Sequence, residues 1–264
     1  MSPLAYLRIW MASIRYSVVR TMMFRFDFFL WVIVDMAWMA VNLLLLEVLF
    51  DHTDEIAGWT KPEMQLLVGT AMLIMRMFLA LFFTNLFSVD RAVREGTFDF
   101  YLAQPGNPLF MISTRKIDLD GVLNTVLAGG IIVYALRQLG IVPGAGTILV
   151  YAGMVLLGLL IHYATVVMLV SLTFWITRIQ GAEQGYFGLF DLSRLPRGAL
   201  RGMMEIAFVY VFPATIVSNF PAETLRHGPN LVHVLWLAGV AVLWLAIAVF
   251  LFHRGLQRYS SASS

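Results

Sequence analysis

Six long apolar stretches, separated by short polar segments, constrain the fold of this chain more than any other feature. A bilayer core about 30 Å thick is crossed by about 20 residues of α-helix. With their connections the stretches occupy nearly the whole chain, so the sequence predicts one transmembrane domain over residues 1–264, an all-α polytopic membrane protein. The predicted spans are Phe28 to Phe50, Met64 to Ser88, Gly121 to Leu139, Ile148 to Ile176, Met203 to Phe220, and Leu231 to His253.

The composition supports the lipid bilayer as the main surrounding of this chain. Hydrophobic residues make up 60% and charged residues 13%, whereas soluble domains usually carry about 25% charged residues. The net charge of +2 comes from basic residues spread among the loops, which does not indicate nucleic-acid binding. The chain has no cysteine, and its histidines show no spacing typical of a metal site, so no metal is expected.

The distribution of lysine and arginine predicts the orientation, because these residues tend to stay on the cytoplasmic side. Alternate connections carry most of them, and both termini are therefore predicted to be cytoplasmic. The opposite connections hold Lys61, Arg137 and Arg226, and the first of these connections is acidic. The residues assigned to the cytoplasmic side are Arg8, Arg15, Arg20, Arg25, Arg91, Arg94, Arg115, Lys116, Arg178, Arg194, Arg197, Arg201, Arg254 and Arg258.

The segment before the first span has its apolar residues at helical spacing, at Leu7, Met11, Ile14, Val18 and Met22. This pattern predicts an interfacial helix over about residues 4–25, lying along the inner leaflet. A cytoplasmic extension of the first span is the alternative.

The connection between the second and third spans, residues 89–120, is the longest polar loop. Its stretch from Gln104 to Pro108 is rich in residues that disfavour a continuing helix. Pro108 suits the first turn of a new helix, with Asn107 as its N-cap. The sequence therefore predicts a short capped helix parallel to the membrane with an apolar face, and an ordinary connector is the alternative. That face consists of Leu109, Phe110 and Ile112.

Two stretches of the chain carry a family resemblance. The loop run of Arg94, Glu95, Gly96, Thr97, Phe98 and Asp99, followed by Leu102, Gln104, Pro105, Pro108, Leu109, Arg115 and Lys116, resembles the first cytoplasmic loop of type-two ATP-binding-cassette permeases. The runs Leu189 to Pro196 and Phe212 to Ala222 resemble one bacterial subfamily whose permeases often occur as nonidentical pairs. Gln104 departs from the pattern, because many relatives have arginine before the proline.

The resemblance implies the membrane permease subunit of an ATP-driven exporter in the bacterial plasma membrane. Such a subunit forms a homodimer, or a heterodimer with a related permease, and binds cytoplasmic ATP-binding subunits. The chain has no GxxxxGK[ST] loop, so no cofactor is expected on it, and ATP and Mg are expected on the partner ATPase. The residues implied in coupling to that ATPase are Arg94, Glu95, Gly96, Asp99, Pro105, Asn107, Pro108, Leu109 and Phe110.

Several polar residues fall inside the predicted spans. A charge at bilayer depth costs about 2.5 to 3.5 kcal/mol on insertion scales, so Asp35 of the first span is predicted to pair with Arg76 of the second. Asn42 lies on the same helix face as Asp35, seven residues further on. The pair has either a structural role or a place on the translocation path. His162 is predicted to form a hydrogen bond to a neighbouring helix.

Two prolines fall in or after the fifth span. Pro213 is predicted to kink this span or to divide it into two half-helices, and Pro221 is predicted to end it. The family resemblance implies a re-entrant segment near the outer face at this position, whereas composition alone is equally compatible with a kinked helix and a loop.

Two other functions are compatible with a chain of this kind. An intramembrane lipid-modifying enzyme would need a buried acid and base, for example Asp35 together with His162. A noncatalytic membrane scaffold would need neither of them.

Overall fold

The computed structural model describes residues 1–176 and 181–259, and the described part is a bundle of helices with one small hairpin. Arg178, which was assigned to a cytoplasmic loop, lies outside the described residues. The helices are α1 (Pro3–Met23), α2 (Arg25–Phe50), α3 (Lys61–Phe78), α4 (Thr84–Arg94), α5 (Asp99–Leu102), α6 (Pro108–Ser113), α7 (Leu119–Gln138), α8 (Ala145–Ser171), α9 (Ala182–Asp191), α10 (Met203–Glu205), α11 (Ile216–His227) and α12 (Leu231–Leu256).

Five helices of the described part are long and apolar enough to cross a membrane. They coincide with five of the six predicted spans, and the all-α polytopic class is confirmed. Their bounds are Arg25–Phe50, Lys61–Arg94, Leu119–Gln138, Ala145–Phe174 and Leu231–Leu256.

The second of these helices joins α3 to α4 through a π-helical segment, Leu79–Phe83. It begins directly after a two-stranded hairpin, in which β1 (Glu55–Ile56) pairs with β2 (Trp59–Thr60). A capping box fixes this start, because the backbone N–H of Thr60 donates to Glu63 at 2.8 Å and the Thr60 side chain caps the helix in return.

α1 is a helix separate from the first span, since the helical backbone is interrupted at Phe24, which has φ −112° and ψ 46°. It lies beside the long loop, because the hydroxyl of Ser17 accepts a hydrogen bond from the backbone N–H of Ile117 at 2.9 Å. These contacts agree with the predicted separate helix. Its position at a membrane surface stays a prediction.

The predicted fifth span is not one continuous helix. Met203–Val211 and Ile216–His227 are two helical pieces bent by 84° around a short break, and Pro213 lies in that break. The prediction that Pro221 ends the span is wrong, because Pro221 lies within α11, which continues to His227. Proline removes one backbone donor, but the tertiary packing of this buried helix outweighs the loss.

The segment that follows α9 contradicts part of the charge assignment. A Cβ placed on Gly198 would lie 3.6 Å from the carbonyl oxygen of Ala57, in the turn of the hairpin. The backbone N–H of Arg197 donates to Asn219 of α11 at 2.8 Å. Arg197 therefore lies at the hairpin end of the bundle, opposite to the end that carries α6. Its assignment to the same side as Arg91 is wrong, since the chain already runs toward the hairpin end through α9.

Two clusters of buried side chains hold the bundle together. The larger one surrounds α8 and includes Phe78, Ile161 and Phe252, whereas the smaller one joins α3 to α7 and the hairpin. In contrast, only 17% of the most apolar stretch of α2, and likewise of α12, is buried. The first and last spans therefore expose large apolar surfaces, which lipid or another chain would cover.

Candidate functional site

α6 begins with the N-cap that its sequence predicts. The side-chain oxygen of Asn107 accepts hydrogen bonds from the backbone N–H groups of Leu109 at 2.9 Å and Phe110 at 3.4 Å, and Pro108 occupies the first turn. The backbone N–H of Asn107 in turn donates to the hydroxyl of Tyr6 at 2.9 Å. The turn before α6 is thus fixed both to α6 itself and to α1.

Buried polar side chains fasten the other end of α6 to two spans. Asn85 of α4 donates to the carbonyl oxygens of Ser113 at 3.1 Å and Lys116 at 2.7 Å, and it accepts from the N–H of Lys116 at 3.0 Å. The hydroxyl groups of Ser113 and Tyr163 of α8 lie 2.9 Å apart. Asn85 and Tyr163 were not among the predicted site residues, although a polar residue such as Asn85 within an apolar run was the available signal.

The exposed part of this loop precedes α6. Phe100 is 73% exposed, and the turn at residues 103–105, which includes Pro105, is exposed as well. Leu109 was predicted among the coupling residues, but it is buried, so it anchors α6 in the bundle. Phe110 is half-buried. A protein that docks at this end would first meet Phe100 and the proline turn.

The residues after α4 lead the chain into this turn. Glu95 is the C-cap of α4, and Gly96 has a φ of +69°, a conformation that favours glycine. Asp99 then lies in the first turn of α5. The buried ring of Phe98 packs edge-on against Tyr259 at 5.2 Å between ring centres, which joins this loop to the end of the last span.

Basic residues crowd the α6 end of the bundle. Arg94 forms an ion pair with Asp90 at 2.8 Å, which engages its guanidinium group within α4. Burial, together with the nearby charges of Arg20 and Arg115, lowers the pKa of the Lys116 ammonium group. The positive charge of this end is therefore reduced, by the carboxylate of Asp90 at Arg94 and by the lowered pKa of Lys116.

The predicted pair inside the bundle is present. A guanidinium nitrogen of Arg76 lies 2.6 Å from a carboxylate oxygen of Asp35, and their side chains are 8% and 22% exposed. Asn124 of α7 donates to the other carboxylate oxygen at 3.0 Å. Asp35 thus links three spanning helices, and Asn124 is the member that was missed by sequence reasoning.

Asn42 belongs to a different contact, although it shares a helix with Asp35. Its side-chain oxygen accepts a hydrogen bond from Arg194 at 2.5 Å, and Arg194 also lies 3.3 Å from Asp191. Arg194 was predicted in a cytoplasmic loop, and this prediction is wrong, because the residue is engaged with the half of α2 that leads to the hairpin. A contact between residues 152 positions apart leaves no local signal in the sequence.

His162 is enclosed by aromatic side chains. Its Nδ1 atom lies 2.8 Å from the hydroxyl of Tyr186, and its ring stacks on Phe190 with 3.7 Å between ring centres. This is the expected bond to a neighbouring helix. Because Asp35 is engaged with Arg76 and Asn124, the acid and base of the enzyme alternative have separate partners. Within the described ranges, no group of three or more His, Cys, Asp or Glu residues could hold a metal ion.

The hairpin end of the bundle is closed by contacts of α11. The Nε atom of Arg226 lies 2.5 Å from a carboxylate oxygen of Glu63, and its guanidinium carbon lies 4.9 Å from the centre of the Trp59 ring. The bent pair of helices around Pro213 thereby returns to the end at which α3 begins. The 84° bend fits both a re-entrant segment and a broken span.

Comparison with known proteins agrees with this architecture. The chain matches the family described as ABC-2 family transporter protein over residues 36–263. This range begins within α2 and includes every later spanning helix up to α12. No curated protein and no solved structure matches the chain. Because the match extends over more than four fifths of the chain, this protein belongs to the ABC-2 transporter family as a membrane permease.

Proposed function

We propose that the chain is the membrane-spanning subunit of an ATP-driven exporter and that separate cytoplasmic ATPase subunits drive it. In this proposal two permeases, identical or related, form the pathway in a bacterial plasma membrane, with both termini in the cytoplasm. ATP and Mg bind to the partner chains. The direction is taken from the resemblance to exporter-type permeases, and family membership supports the role of a permease subunit.

The attachment of α6 to two spans carries the proposal. A displacement of the exposed turn before α6 would act on Asn85 of the second span and on Tyr163 of α8 through the hydrogen bonds of Ser113 and Lys116. Since these polar groups are largely buried, breaking their hydrogen bonds would leave them unsatisfied at a cost of about 1 to 3 kcal/mol each. The loop and the two helices are therefore expected to move together when an ATPase moves the loop.

The side of the membrane that carries α6 can be tested cleanly, because the chain has no cysteine. The variants Gln104→Cys and Thr53→Cys place one thiol each in exposed turns at opposite ends of the bundle. A membrane-impermeant maleimide added to intact cells should label the thiol at position 53 and spare the one at position 104, which should react after the cells are opened. Labelling of position 104 in intact cells would overturn the proposal.

Coupling is tested by purification of the chain from its native membrane with any bound ATPase. Phe100→Ala removes the exposed ring next to the proline turn, which we expect to be a hot spot of the interface, where truncation costs at least about 2 kcal/mol. We expect the bound ATPase activity to fall at least about tenfold. Met203→Ala is the matched control, because Met203 is 85% exposed in a different segment. ATPase activity that never accompanies the wild-type chain would refute the coupling.

A further inference from the structure

A large cavity opens on the α6 half of the bundle, between α1, α2, α7, α9 and the π-helical segment. Its volume is about 760 Å³, and sites for drug-sized ligands commonly measure about 300 to 1,000 Å³. Five aromatic side chains line it, namely Phe24, Phe28, Trp31, Phe83 and Phe187.

The polar part of the lining is acidic. Four carboxylates line the cavity, at Asp27, Asp35, Asp118 and Asp120, and Arg20 is the one basic residue among the described lining residues. Asp35 is neutralised by Arg76, and Asp118 accepts a hydrogen bond from Thr84 at 2.5 Å. In contrast, Asp27 and Asp120 form no ion pair with any residue that the structure describes. Together with Asp118, whose hydroxyl partner is neutral, these carboxylates outnumber Arg20 and give the cavity a net negative formal charge.

An unsatisfied acceptor lies behind the wall of the cavity, on a residue that does not itself line it. Asn124 is fully buried, with 0% of its surface exposed, and its side-chain nitrogen donates to the wall residue Asp35. Its side-chain oxygen has no hydrogen-bond partner among the described residues. A buried acceptor without a donor costs free energy.

We propose that this cavity binds an amphipathic organic cation of drug size. The aromatic rings would cover its apolar part, and a cation above such a ring is stabilised by about 0.5 to 2 kcal/mol. Asp120, which is half-buried, and Asp27 at the exposed mouth would balance its charge and repel an anion of the same shape. The proposal deepens the proposed function by naming its substrate class and rests on that function for the transport step. Binding itself can be measured on the permease alone.

Tetraphenylphosphonium and tetraphenylborate are suitable probes, because they have nearly the same shape and opposite charge. The purified full-length chain in lipid nanodiscs should bind radiolabelled tetraphenylphosphonium saturably, and a tenfold excess of tetraphenylborate should not displace it. The double variant Asp27→Asn and Asp120→Asn should weaken binding of the cation at least about tenfold. Asp54→Asn is the matched control, since it removes an exposed carboxylate at the hairpin end.

A charge reversal provides a second variant whose result does not depend on a loss of folding. Asp27 is exposed at the mouth of the cavity, so Asp27→Lys should be tolerated. It should abolish binding of the cation and allow binding of tetraphenylborate. Thermal unfolding and size-exclusion profiles that match the wild type identify folded variants.

Three results would overturn the proposal: no saturable binding of the cation by the wild type, equal binding of the anion, or binding unchanged in the double variant. If the cation fails to bind and Asp27→Lys instead changes the dimer fraction, the cavity is a contact between subunits. Failure of this proposal is distinguishable from failure of the proposed function. ATPase association without cation binding rejects the substrate class alone, whereas cation binding without ATPase association rejects the coupling.

Discussion

The ion pair between Asp35 and Arg76 gives the sharpest test of the energetics. Arg76→Gln would leave the Asp35 carboxylate, which is 22% exposed, without its cation, and Asp35→Asn would leave a guanidinium group that is 8% exposed. Removal of one partner of a buried pair costs about 3 to 5 kcal/mol. Because Asp35 keeps partial exposure and the hydrogen bond from Asn124, we expect about 3 kcal/mol for each single variant.

The loss of free energy of unfolding in the double variant should be much smaller than the sum of the losses in the two single variants. Once both charges are absent, no buried ion remains unpaired, so the double variant should lose about as much free energy of unfolding as one single variant. The expected coupling energy is then about 2 to 3 kcal/mol, at the upper end of the range for residues in contact. Lys61 and Glu47 form the control pair, because their side chains are 38% and 44% exposed, and exposed pairs of this kind couple only weakly.

The assay is unfolding of the purified chain in mixed micelles by increasing fractions of a denaturing detergent, monitored by circular dichroism. Free energies of unfolding from the four chains of each cycle give the coupling energy directly. Single-variant effects that add up in the double variant to within about 0.5 kcal/mol would refute direct pairing of Asp35 with Arg76. A coupling energy for the control pair as large as that of the buried pair would refute the argument from burial.

Three further variants test local geometry. Asn107→Ala removes the N-cap of α6 and should cost about 1 kcal/mol of helix stability, seen as faster amide hydrogen exchange in α6; unchanged exchange would contradict the role of the cap. Gly121→Ala would place a Cβ 2.9 Å from a backbone atom of the π-helical segment and should lower the free energy of unfolding by about 1 to 3 kcal/mol. Gly129→Ala is the control, because a Cβ there has nothing within 4 Å and should not lower the thermal midpoint. Equal midpoints for the two variants would exclude the close approach. Arg226→Gln breaks the contact with Glu63 and should speed hydrogen exchange in the hairpin, and exchange equal to that of the wild type would show that this contact does not hold the hairpin end.

Apolar length and local capping rules predicted much of the architecture. The length of a membrane-spanning helix is set by the bilayer, so a long uninterrupted apolar run, such as that of α12, can be recognised in the sequence. The start of α6 was equally visible, because Asn107 and Pro108 act on their own immediate neighbours. The pairing of Asp35 with Arg76 followed from the rarity of charges at that depth.

The region from α9 to α11 could not be predicted in the same way. The break at Pro213 agrees with the prediction, but hydropathy gives neither the angle of 84° nor the direction of the bend. Arg194 was assigned from the rule that basic residues remain in the cytoplasm, but its charge is accommodated by Asn42 and Asp191. Asp191 is a local partner, but Asn42 lies 152 positions away, and the tertiary fold alone brings it to Arg194.

The π-helical segment Leu79–Phe83 sets the angular phase of the second span. Each residue of an α-helix advances the side-chain direction by about 100°, and a π-helical turn holds one residue more than an α-helical turn. If the same residues formed a regular α-helix instead, everything after this segment would therefore be rotated by about 100° relative to α3. Asn85 would then point away from the carbonyl oxygens that it now contacts, and the long loop would lose its alignment with the bundle while every span kept its hydrophobic length.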